Sequence, residues 1–188
     1  MRVSALPAII GKGLAAGLVG TVAMTVSSTL EQRLRRRQAS TAPARATAKV
    51  LGIEKFESDA AYNRFSNLSH WGYGTGWGVP RALLRALGLP PAAATAAHGA
   101  ALWGAEQVML PALDVAPPIV FWTAEDVAID AWHHAVYAIA TGIAYELLDG
   151  AGNGRPTPPP ARRPSLMERA SAWAMTRGAE KVASGGRR

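Results

Sequence analysis

The chain contains no cysteine, so disulfides, thiolate metal sites and cysteine nucleophiles are excluded, while nothing follows about redox compartment. It is also poor in charge, with 18% Asp, Glu, Lys and Arg against about 25% in an average soluble protein. Acidic residues are the scarcer sign, 13 against 20 Lys and Arg, which leaves a net charge of +7. That surplus does not read as a nucleic-acid groove, because the basic residues gather in particular loops whose placement membrane topology explains better. Phosphate-binding loops, nucleophile motifs and zinc-protease signatures are all missing. Ser66, Ser69 and His70 are close along the chain, but a hydrolase needs its base and orienting acid arranged in space. The reading leans against an enzyme.

What is present is apolar. Hydrophobic residues make up 49% of 188, and much of that share is Ala, which with the 19 Gly suits helices that pack backbone to backbone in lipid. The expected organisation is a transmembrane helical domain over residues 1–150, a Pro/Gly-rich linker over 151–164 and a basic tail over 165–188. In the tail Leu166, Ala170, Trp173 and Ala174 share a helical face, a pattern suited equally to lying on anionic headgroups and to a solvated segment.

A membrane span needs roughly 20 mostly apolar residues, and four stretches compete. The first, about Ala5 to Leu30, is stopped by Glu31, Gln32, Arg33 and Arg35 to Arg37, and it lacks the small-residue cleavage site of a signal peptide. Ser66 to Leu89 is interrupted by Pro80, Arg81 and Arg85 and is expected to be re-entrant or interfacial. Ala92 to Leu113 is apolar except for His98, Glu106 and Gln107, and Thr123 to Leu148 opens with a capping box at Thr123 and Asp126. Three spans with the N-terminus outside and the C-terminus cytoplasmic place all but Arg2 and Lys12 of the Lys and Arg residues inside. Four full spans, the alternative, divide the basic residues far more evenly. The segment from Asp114 to Asp130 carries Glu125 and Asp126 and no Lys or Arg, and reads as the external loop. The fold class expected is therefore an all-α, polytopic transmembrane bundle.

Small residues four apart share a helix face and allow close backbone approach. Gly13 and Gly17 form such a pair, with Ala16 and Gly20 one step round. The pattern His70-x-x-Tyr73-Gly74-x-x-x-Gly78 matches His134-x-x-Tyr137-Ala138-x-x-x-Gly142, which points to related helical units and favours a second stretch that crosses fully. Arg33, Arg35, Arg36 and Arg37 follow the first span directly and are placed to contact acidic lipid headgroups.

The run Gly-Leu-Ala-Ala-Gly-Leu-Val-Gly-Thr-Val-Ala-Met at Gly13 to Met24, His-Trp-Gly-Tyr-Gly at His70 to Gly74, Leu-Trp-Gly at Leu102 to Gly104 with Pro111 after it, and His-His-Ala-Val-Tyr at His133 to Tyr137 resemble the YagU-like bacterial inner-membrane proteins. The resemblance covers about residues 11–148. It implies a bacterial inner-membrane location and a helical fold; no established reaction comes with it.

All four histidines, His70, His98, His133 and His134, fall in or beside apolar stretches, where ionisable groups are costly and usually have a purpose. Asp126, Asp130 and His134 are spaced i, i+4, i+8 along one helix face. Carboxylate and imidazole on neighbouring turns suit Mn, Fe or Zn, with His70, His98 or Glu106 as further ligands, and two histidines from different helices suit haem iron. The plainer account is that Asp126 complements the helix dipole and Asp130 stands in water. His98 and Glu106 are the residues that would line a polar path. Three functional classes follow: a structural, accessory or stress-related membrane component, an intramembrane metal- or haem-binding protein, and a small transporter or channel subunit. Lipid, a second copy of the chain or an accessory protein are the partners expected.

Overall fold

The computed structural model describes residues 6–152, so the tail, and all but the first two residues of the linker, lie outside the described residues. The regular structure among those described is all helical: α1 Leu6–Arg35, α2 Ala42–Val50, α3 Asp59–Ala86, α4 Pro91–Ala112, a short 3-10 turn Ile119–Phe121, and α5 Ala124–Gly152. Local chemistry marks most of the ends. Pro sits in the first turn of α2 and of α4, where its missing N–H costs nothing. Ser58 caps α3 by accepting from the Ala61 amide at 3.2 Å, and Thr123 caps α5 by accepting from the Asp126 amide at 3.1 Å. Beyond α3, Gly88 adopts φ of 95°, a left-handed turn that glycine enters without a Cβ penalty.

Four long helices form the body. α3 runs antiparallel to α1, shown by Gly13 against Gly78, Thr21 against Gly74, and Thr25 Oγ1 at 2.9 Å from His70 Nε2. α5 also runs antiparallel to α1, from the Arg35–Glu125 ion pair at one end to Lys12–Asp149 at 2.9 Å at the other. α4 lies against α5, with Gly99 at Ala138 and Thr95 at Gly142. The glycines make these contacts close. A methyl group on Gly13 would stand 2.9 Å from the Gly78 carbonyl oxygen, and one on Gly78 would overlap the Gly13 carbonyl. A threonine over a glycine occurs three times, Thr21 on Gly74, Thr95 on Gly142 and Thr141 on Gly20. In the first two the hydroxyl donates to the carbonyl four residues back, Gly17 at 2.8 Å and Pro91 at 3.0 Å, so its polarity is satisfied within its own helix.

Residues 66–89, expected to be re-entrant or interfacial, are helical without a break as far as Ala86. The residues that seemed to interrupt it are accommodated. Pro80 lies within the last two turns, and Arg81, fully buried, meets Glu146 of α5 at 3.0 Å. The basic block after α1 and the acidic start of α5 were expected on opposite faces of a membrane. They meet at one end, through Arg35 and Glu125. There α2 also packs, its Ala46 clustering with Leu110 and Val115.

The interior is built mainly of alanines with a few larger side chains, most of them polar, while many large apolar side chains face outward. The largest fully buried side chains are Arg81, Tyr137, His98, Thr21 and Thr141. Leu14, Leu18, Val22 and Val26 of α1 and Ile139, Ile143 and Leu147 of α5 are exposed. Among the described helices one, Leu6–Arg35, is long and apolar enough to cross a membrane.

Candidate functional site

Asp130 and His134 stand one turn apart on α5, and Glu106 reaches them from α4. Ligand atoms from the three lie within 4.8 Å of one another. His134 Nδ1 is 2.9 Å from the Asp130 main-chain oxygen. A carbonyl can only accept, so Nδ1 carries the hydrogen and the orientation of the ring is set. Nε2 is thereby turned towards Glu106, whose Oε2 lies 2.7 Å away. The contact is close enough for an ion pair, yet this buried oxygen has no aligned hydrogen bond. Trp103 Nε1–H donates to Asp130 Oδ2 at 2.8 Å, holding the carboxylate from outside.

A groove of about 800 Å3 runs between α4 and α5 beside this cluster, lined by Trp103 and His134 and continuing along Ala96, Gly99, Ala138 and Ile143 to Glu146. Its walls are apolar almost throughout. The cluster thus borders a space rather than being sealed inside the bundle.

The other residues singled out for metal or haem lie elsewhere. His98 is fully buried and its Nε2–H donates to the Trp77 carbonyl at 2.8 Å, leaving Nδ1 without a partner. His70 meets Thr25, and His133 Nδ1 lies 2.9 Å from Ser27 Oγ. Asp126 accepts from the Thr123 hydroxyl at 2.6 Å at the head of α5. Glu106, assigned with His98 to a polar path, joins Asp130 and His134 while His98 does not. Among the arginines expected at headgroups, Arg35 is paired with Glu31 and Glu125 and Arg37 with Glu31. At this end of the bundle, beyond the apolar part of the helices, Arg35 holds the Glu125 carboxyl below its usual range, and the Thr123 hydroxyl does the same for Asp126.

Two features have no counterpart in the sequence reading. Glu146 binds both Arg81 and Arg85, at 3.0 and 2.7 Å, and the Arg81 guanidinium lies 5.4 Å from the Tyr145 ring centre. The i, i+4 arginines inside an apolar stretch were the available signal. Tyr137 is buried and its hydroxyl donates to the Gly74 carbonyl at 2.5 Å, tying α5 to α3. Tyr137→Phe is expected to cost about 0.5–1.5 kcal/mol, read as a shifted midpoint in detergent-monitored unfolding.

No protein-family model matches the chain, and no curated protein or solved structure compared with it is significantly similar.

Proposed function

We propose that the chain is a four-span helical membrane protein of the YagU-like type, acting as a structural or accessory component of the bacterial inner membrane. The observation that carries this reading is the apolar exterior. Leucines, isoleucines and valines of α1 and α5 face outward while Arg81, His98, Thr21 and Thr141 are buried among small residues, as lipid favours and water does not. α3 carries polar residues of both kinds: Ser69 and Arg81 are buried, whereas Asn63, Arg64 and Asn67 near its start are exposed, as is Leu68. Transport has less support, since the groove beside His134 is apolar. So does haem, since the four histidines engage separate partners. With α1, α3, α4 and α5 all crossing, both ends of the described chain lie on one side, joined by Lys12 and Asp149, in place of the opposite sides expected from the basic residues.

The absence of cysteine makes the test direct. Single cysteines at Lys55, Leu87 and Val120, all exposed, are labelled with a membrane-impermeant maleimide in intact cells and in inverted vesicles. Lys55→Cys and Val120→Cys are expected to react from one side and Leu87→Cys from the other. Leu87→Cys reacting with Lys55→Cys, and opposite Val120→Cys, would restore the three-span topology. Recovery of the chain in the soluble fraction would end the membrane reading.

A further inference from the structure

We propose that Glu106, Asp130 and His134 form a binding site for one borderline divalent transition-metal ion such as Zn2+, Mn2+ or Fe2+, with its open coordination positions facing the α4–α5 groove. The inference stands apart from membrane topology, because it rests on the contact between two helices.

Charge is the first support. Two carboxylates and one neutral imidazole balance a divalent cation, giving a neutral centre where burial makes net charge expensive. Without an ion, two acids share a single histidine, and no Lys or Arg is paired with either acid among the described residues. The second support is the preset histidine. His134 is 8% exposed, and the bond from Nδ1 to the Asp130 carbonyl directs Nε2, the coordinating nitrogen, into the cluster. A hydrogen bond of this kind from the second ring nitrogen is what orients most metal-bound histidines, and Trp103 Nε1–H on Asp130 Oδ2 serves the carboxylate in the same way. Third, Glu106 Oε2 is buried with no aligned hydrogen bond, an acceptor in need of a positive partner.

The site is near the required dimensions. Bonds of about 2.0–2.1 Å in a tetrahedron separate ligand atoms by roughly 3.3 Å. Glu106 Oε2 would retreat from its 2.7 Å contact with Nε2 by well under an ångström, and the other ligand atoms lie within 4.8 Å. Three protein ligands leave at least one position for water or a ligand atom. His134 and Trp103 both line the groove, so that position has a path to the surface through apolar walls. An amphiphile with a carboxylate or phosphate head and an alkyl body matches this combination of ion and groove.

The test uses the full chain in detergent, freed of any affinity tag and stripped with chelator, titrated with Co2+ as a coloured stand-in and then with Zn2+ as competitor. The expected result is saturable visible absorption at one equivalent, displaced by Zn2+. His134→Ala should abolish the signal, and Glu106→Gln and Asp130→Asn should each weaken binding at least tenfold. Trp103→Phe, which keeps all three ligands, should weaken it about 10- to 100-fold. His70→Ala, on a different helix pair, should leave it unchanged. No saturable signal from the parent chain, or a signal that survives both His134→Ala and Glu106→Gln, overturns the site and leaves a proton as the charge between Glu106 and His134. Helical circular dichroism shows which variants fold. Glu106→Gln keeps the volume of the native side chain and so gives a reading even where His134→Ala does not fold.

Discussion

Replacing Gly78 with leucine is expected to leave little folded bundle, the largest effect of any single substitution at the helix contacts. A Cβ there would stand 2.6 Å from the Gly17 amide nitrogen and 2.7 Å from its Cα, besides overlapping the Gly13 carbonyl. All three atoms are backbone, so no rotamer change relieves the clash, and α1 must move away from α3. Overpacking a core typically costs 1–3 kcal/mol. Here separation would also undo the Thr21 and His70 contacts along the same seam, so a loss of about 3 kcal/mol or more is expected. Gly76→Leu is the control, because a Cβ there meets nothing within 4 Å. Unfolding by sodium dodecyl sulfate in mixed micelles, followed by circular dichroism, compares the two. Equal midpoints would mean that the α1–α3 seam does not hold the bundle together.

Glu146→Leu is expected to be nearly as damaging, for an electrostatic reason. Arg81 is fully buried, and Glu146 is the acid that meets both it and Arg85. Removing the carboxylate leaves two guanidinium groups at the α3–α5 contact, with Arg81 retaining Thr95, the Pro91 carbonyl and the Tyr145 ring but no acid. Breaking a buried pair from one side costs about 3–5 kcal/mol, whereas replacing all its members with apolar residues is often neutral. The triple variant Arg81→Met, Arg85→Leu, Glu146→Leu should therefore recover most of the stability lost in the single one. Failure of that recovery would assign the effect of Glu146→Leu to packing instead of charge.

The helices themselves were legible because their signals are local. Thr123 with Asp126, and the prolines at Pro43 and Pro91, act within one turn. The Gly13/Gly17 and Gly74/Gly78 patterns are equally local, and those glycines lie where α1 meets α3. Topology was not local. Arg81 in an apolar stretch looks like an obstacle until Glu146, 65 residues away, is seen beside it. Counting Lys and Arg by loop set the Arg33–Arg37 block apart from Glu125, whereas the antiparallel packing of α5 on α1 puts Arg35 beside Glu125. The candidate site divides the same way. Asp130 and His134 are neighbours by helical period, whereas Glu106 joins them only through the packing of α4 on α5.

The ion pairs at the two ends of α1 carry a consequence for the order of events during synthesis. Arg35 and Glu125 are 90 residues apart, and Lys12 and Asp149 are 137 apart. At a typical 5–20 residues per second, Arg35 waits roughly 5–20 s for its partner to be made. During that interval α1 and α3 can already zip together as a hairpin, but the α1 surface around Gly20 and the charges at both its ends have no α5 to receive them. The last of the described helices to be made is thus the one that closes the first, so a ribosome stalled before α5 releases a chain whose N-terminal helix is still open on one side.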